Sequence, residues 1–327
     1  MRRSEKIEAF TEILWQWFAP HKRTLPWRDL AIADETERAY RILISEVMLQ
    51  QTQVSRVKIV FKDFLDRFAH LSDLASASNR DVILAWRGMG YNSRALRLRD
   101  AARRITAGFP KDMGDLLAIP GVGHYTAAAI RNFAFNLTTP CLDTNIRRIL
   151  HRTFVGPEYA DGTWKKKDAY LLDLAEEILE CAIDPKKEAA PGSGIPRDAR
   201  NWHAALMDFG SLVCTKRNPK WELCPLTKAG LMKAAYHVST KKQETRNKRQ
   251  EPGRMIGARF VPNRIIRGRI VEELRDARNG LSAQEIGRRV CIDWSPREHA
   301  VWLRSIIEGL KRDLLVKNSG LRIALVE

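Results

Sequence analysis

The sequence predicts an all-α body over residues 1–238, a basic linker over 239–258 and a small α+β unit over 259–327. Three observations carry this reading. Apolar residues recur at helical spacing through the first two thirds, alternating β-branched stretches are scarce before residue 310, and composition turns polar and basic between the two parts.

Phe10, Ile13, Leu14, Trp17 and Phe18 give the body its first amphipathic helix, and Leu171, Leu172, Leu174, Ala175, Ile178 and Leu179 a later one. Pro20, Pro26, Pro110, Pro120 and Pro140 punctuate short connections. Residues 184–199 (DPKKEAAPGSGIPRDA) lack periodicity and read as a surface loop. The linker carries Lys241, Lys242, Arg246, Lys248, Arg249 and Arg254 with few large apolar groups. Beyond it, Ile265, Ile266, Ile270, Val271 and Leu274 form one helix. Ser282 with Glu285 is a capping box opening a second, and Ser295, Pro296 and Glu298 open a third that runs through Leu310. LLVKNSGLRIALV then reads as two strands about an Asn318, Ser319, Gly320 turn. Three helices and a hairpin follow the order of a winged helix, whose Arg297, Arg304, Lys311 and Arg312 suit either DNA phosphates or a merely soluble face; such modules also dock onto protein.

A length of 327 residues fits two or three domains, and a net charge of +17 points to a polyanionic partner. No run approaches the ~18 apolar residues of a membrane span, and the N-terminus has no apolar signal core. Five irregularly spaced cysteines do not form a disulfide framework. A non-secreted monomer in the cytoplasm, beside the nucleoid, is expected.

The most informative stretch is LLAIPGVGHYTAAAI at 116–130, an apolar helix end, Pro120, a Gly121-Val122-Gly123 turn and a new helix from His124. Glycines let backbone approach a ligand, and free N–H groups at a helix start favour a phosphate without reading sequence. A lone GxG would more often be an ordinary turn between helices. Farther on, CLDTNIRRIL places Asp143 before a helix whose first turn holds Thr144 and Asn145. Such an Asp is usually an N-cap; its functional alternative is a carboxylate aimed at a developing positive sugar. ILISEVMLQQTQV sets Glu46 among Ile42, Leu43, Ile44, Val47, Met48 and Leu49, which leave little polar arc. Desolvation there would raise its pKa, as a general acid needs.

Together LPWR (25–28), SEVMLQQTQV (45–54), GMGYNSRA (88–95), IPGVGHYTAAA (119–129), LDTNIRRIL (142–150) and WHAALMDFGSLVC (202–214) resemble the helix-hairpin-helix DNA glycosylases and, within them, the MutY-type adenine glycosylases. The likeness covers about residues 8–235. It implies a two-lobed helical fold with the site in a cleft, and a base flipped out of double-stranded DNA. By motif, Glu46 resembles the general acid that protonates the departing base, and Asp143 the residue that stabilises, or transiently bonds, the oxocarbenium-like sugar. Tyr125 stands where bifunctional relatives carry a Schiff-base lysine. A tyrosine forms no imine, so β-elimination should be weak or absent. Gln51 and Tyr91 resemble the wedge residues that fill the vacated duplex, although Tyr91 could also be a core aromatic. Arg94, Gly121, Val122, Gly123, His124 and Asn145 complete the expected DNA-facing set.

The sequence also departs from that family. Its usual four iron–sulfur cysteines are here Cys214, Trp221, Cys224 and Gly230, so no cluster and no other cofactor is expected. Trp221 and Leu226 would plug that loop, and a zinc held by the cysteine pair with His203 or His237 is the alternative. The winged-helix-like unit stands in place of a nudix-like domain. The expected substrate is adenine opposite 8-oxoguanine or guanine; the rivals are thymine or uracil in G·T or G·U mismatches, and a catalytically silent DNA binder.

Overall fold

The computed structural model describes residues 1–28, 31–105, 108–159, 161–237 and 251–327, so all but the last residues of the expected linker lie outside the described residues. Its helices are α1 (Arg3–His21), α2 (Glu35–Leu49), α3 (Val54–Arg67), α4 (Leu71–Ser76), α5 (Asn79–Ala85), α6 (Ser93–Arg104), α7 (Met113–Leu117), α8 (His124–Phe135), α9 (Thr144–Leu150), α10 (Asp168–Ala182), α11 (Ala199–Leu212), α12 (Pro225–Lys228), α13 (Asn263–Asp276), α14 (Ala283–Val290) and α15 (Pro296–Arg312). The strands are β1 (Gly253–Ile256), β2 (Arg259–Pro262), β3 (Val316–Ser319) and β4 (Arg322–Leu325). Among the described residues no helix is long and apolar enough to cross a membrane.

The chain divides into two compact units that do not follow chain order. One comprises Met1–Leu43, Phe109–Ala118 and Val122–Arg246; the other comprises Ile44–Gly108, Ile119–Gly121 and Asn247–Glu327. The first is built around α1, whose buried Phe10, Leu14, Trp15 and Phe18 repeat at helical spacing. Trp15 meets Trp202 of α11 with ring centroids 5.4 Å apart, and Phe10 meets Phe154 edge-on at 5.2 Å. Trp15 also satisfies its indole N–H on the Ala182 carbonyl, the C-terminal residue of α10. Pro20 falls in the last turn of α1 rather than after it, and Leu172, expected in the core, is exposed. Of the expected 184–199 loop, Ala199 already opens α11 and Ala189 bridges Pro196; the rest is irregular, and Arg197 pins it by a two-pronged bond to Glu12 at 2.7 Å.

In the second unit, α3 and α5 bury Phe61, Phe64, Val82 and Ile83 around Trp86. The C-terminal part packs Ile266, Ile270, Leu274, Leu303, Ile307 and Leu310 from α13 and α15. Ser282 and Glu285 form the expected capping box. Ser295 does not: no bond caps α15 from its side chain, and its own amide donates to the His299 ring instead. The β3–β4 turn sits two residues later than expected, at Gly320 and Leu321, because Asn318 and Ser319 pair with Ile323 and Arg322. Antiparallel β1–β2 was not anticipated. Gly253–Ile256 lies within the stretch that composition assigns to the linker, yet Met255 pairs with Phe260 and Ile256 is buried.

Candidate active site

The hairpin runs from α7 to α8. Gly121 takes φ +82°, a conformation open to glycine and strained for other residues, whereas Gly123 is extended and serves as N-cap. No side chain caps α8 at Gly123.

Asp143 is the N-cap of α9. Its Oδ1 accepts the amides of Asn145 (2.8 Å) and Ile146 (2.6 Å), and its Oδ2 accepts the Asn145 side-chain amide at 2.8 Å. Asn145 is oriented in turn by Arg148, which donates to its Oδ1 at 2.7 Å and to the carbonyls of Gly210 and Cys214. Burial pushes the Asp143 carboxyl above the ordinary carboxylate value, although its three hydrogen bonds oppose this. The carboxylate is thus held in one orientation while poorly solvated. Gly210 allows the arrangement: a Cβ there would come within 2.6 Å of the Asn145 Cβ. Gly210→Ala should therefore displace Asn145 and loosen its hold on the Asp143 carboxylate, lowering the melting temperature.

Glu46 lies near the end of α2, half-buried and flanked by buried Ser45, Val47 and Met48. It falls in the second compact unit, and Asp143 in the first. Tyr125 is half-buried in the first turn of α8, and His124 beside it is exposed.

Gln51 and Tyr91 sit on two exposed tips with φ of +56° and +46°. Non-glycine residues hold this conformation only where their surroundings impose it. Tyr91 is 49% exposed, so it is no core aromatic. Arg94 imposes both tips. It was expected on DNA; instead it is buried, and its guanidinium donates to the carbonyls of Val47 (2.9 Å), Gln50, Met89 (3.2 Å) and Gly90 (3.4 Å) and to Thr52 Oγ1.

One buried ion-pair cluster beside this site has no counterpart in the sequence patterns. Asp208, fully buried in α11, accepts the amide and Nε of Arg23 and the Nη1 of Arg28 at 2.7–2.9 Å, fixing the LPWR segment. The nearest signal is the acidic residue of MDFG among apolar neighbours.

Residues 44–168 match the model of the HhH-GPD superfamily base excision DNA repair proteins. The chain is 33% identical over 307 residues to the adenine DNA glycosylase of Mycobacterium tuberculosis, covering 93% of this chain and 88% of that protein. The chain belongs to the adenine DNA glycosylase family. The murine adenine DNA glycosylase is 37% identical over 227 residues, covering 67% of this chain and 41% of that one. Among solved structures, a thermostable thymine-DNA glycosylase is 26% identical with a TM-score of 0.58, covering 72% of this chain and 98% of that one. An endonuclease III in a DNA complex shares the fold at 19% identity and a TM-score of 0.53, over 72% of this chain and 97% of that one. The mycobacterial alignment covers 93% of this chain, so it reaches into the C-terminal part.

At the positions expected for an iron–sulfur cluster, the residues do not fit one. Of the four positions only Cys214 and Cys224 carry thiols, and both are buried. Arg152 lies over the Trp221 ring at 5.6 Å, donates to the Thr215 carbonyl at 2.8 Å and pairs with Glu158. Gly230 has no side chain to offer and turns the chain at φ +68°. His203, the histidine expected beside that pair, has its Nδ1 on the Ala199 carbonyl and its Nε2 facing the Asn132 side chain at 3.4 Å. Among the described residues no group of three or more His, Cys, Asp or Glu is placed to hold a metal ion.

Proposed function

We propose that the chain hydrolyses the N-glycosidic bond of adenine mispaired with 8-oxoguanine or guanine in duplex DNA. The observation that carries this is identity to adenine DNA glycosylases across nearly the whole chain. Glu46 gives a proton to the extruded adenine, so that the C1′–N9 bond breaks with its electron pair leaving on a neutral base. Asp143, held as a poorly solvated carboxylate by Asn145 and Ile146, stabilises the electron-poor sugar until water adds at C1′. Tyr125 offers no amine, so the reaction stops at the abasic site. The amides of Val122, Gly123 and His124 take a phosphate, and Gln51 and Tyr91 fill the gap in the duplex. With a net charge of +17, affinity should fall steeply with salt. The Arg152–Trp221 stack holds the 214–224 loop in place of an iron–sulfur cluster.

A second reading, removal of thymine from G·T pairs, is favoured by the thymine-DNA glycosylase among the structural neighbours. Duplexes carrying A·8-oxoguanine, A·G and G·T, incubated with the protein and then treated with alkali, decide between them. Cleavage of the adenine strand is expected; cleavage confined to the thymine strand overturns the proposal, and no cleavage of any duplex favours a silent binder.

A further inference from the structure

The C-terminal helices grip the tip that carries Tyr91. Arg275, on α13, is 3% exposed and donates from Nη2 to Oδ1 of Asn92 at 2.9 Å; Asn92 is itself only 6% exposed. The other nitrogen, Nη1, engages Glu272 one turn earlier on the helix. Asn92 directly follows Tyr91 and opens α6. On the inner side the same tip is fixed by Arg94, and by Trp86, whose indole donates to the Gly90 carbonyl at 3.1 Å. Gly88, Gly90 and Tyr91 all adopt positive φ, so the tip is an unusual conformation maintained from two sides.

A contact whose only task was to dock α13 could be made of apolar side chains, since burying a guanidinium is costly. A charged hydrogen bond in that position instead fixes direction and register at Asn92, and a shift there moves Tyr91 with it. We propose that Arg275 is a positioning residue for recognition of the base opposite the excised adenine, acting through Asn92 on Tyr91, so that the C-terminal unit shares in mismatch reading without touching that base. This rests on the wedge role given to Tyr91 above.

The test uses the full chain with Arg275→Met, which keeps length and apolar bulk, Arg275→Lys, which restores a donor, and Tyr91→Ala. The first readout is fluorescence of a 2-aminopurine placed beside the base opposite adenine, recorded at saturating protein, which reports unstacking without needing base release. Arg275→Met should lose at least about half of the rise, Arg275→Lys should regain part of it, and Tyr91→Ala should abolish it. The second readout is single-turnover release of adenine. Arg275→Met should slow it about 10- to 100-fold opposite 8-oxoguanine and leave it unchanged opposite an abasic analogue, where there is no base to read. It should have no further effect in the Tyr91→Ala background. An undiminished fluorescence rise, or equal slowing on both duplexes with a lowered melting temperature, assigns Arg275 to structure alone and overturns the proposal. So does the absence of any rise with the parent protein. Were the parent to give the rise but release adenine from no duplex, the proposed reaction would fail while the fluorescence still decided the role of Arg275.

Discussion

Asp143→Asn should slow adenine release by about 10³-fold, close to 4 kcal/mol of transition-state stabilisation, while duplex affinity stays within a small factor of the parent. The substitution is chosen for what it preserves. Asn is as good an N-cap as Asp, so the amides of Asn145 and Ile146 keep an acceptor and α9 keeps its start. What disappears is the negative charge, together with the acceptor for the Asn145 side chain. Stability separates this from unfolding. Because burial raises the Asp143 pKa above its ordinary value, the folded chain holds that proton more tightly than the unfolded one. Its contribution therefore favours folding in acid and is lost as pH rises from the ordinary carboxylate value through the raised one. Asp143→Asn removes the charge that neutral pH forces into a poorly solvated place. Calorimetry at neutral pH should accordingly find it melting no lower than the parent, with any advantage shrinking as the solution is acidified. In the proposed reaction Asp143 acts as a carboxylate, so acidification through the same interval should slow base release by protonating it.

Glu46→Gln should cost about 10²- to 10⁴-fold in the same single-turnover assay, the usual worth of a general acid. Gln matches Glu in size but has no proton to give, so mismatch binding should survive. The double variant Glu46→Gln, Asp143→Asn is the sharper measurement. Two groups that serve one bond-breaking step are strongly non-additive, so its rate should lie well above the product of the two single losses. Losses that simply multiply would show the carboxyls acting in separate events.

Much of this arrangement is legible in the amino acids. The helical spacing of Phe10, Leu14 and Phe18, the box at Ser282 and Glu285, and Asp143 before its helix are local patterns, and local patterns survive folding. Relations set by the fold are not legible. An arginine beside two exposed tips reads as a phosphate ligand, and only the folded chain reveals that Arg94 is enclosed by carbonyls from two segments. The Ser295 box satisfies its sequence rule yet loses to the His299 ring, four residues along the same helix start. β1 and β2 are four residues each, too short and too basic to stand out from a linker. The bond from Arg275 to Asn92 joins positions 183 apart, which no periodicity connects.

The placing of α1 against α11 also fixes a sequence of events at the ribosome. Trp15 leaves the exit tunnel before Trp202, the ring it packs on, which is synthesised nearly 190 residues later. At translation speeds of about 5–20 residues per second, the first helix spends on the order of ten to forty seconds with its aromatic face lacking that partner. Such late closure of distant contacts slows folding and invites association between nascent chains. The charges of Arg3, Glu5 and Lys6 lie in the first turn of the helix whose aromatic face waits for that partner.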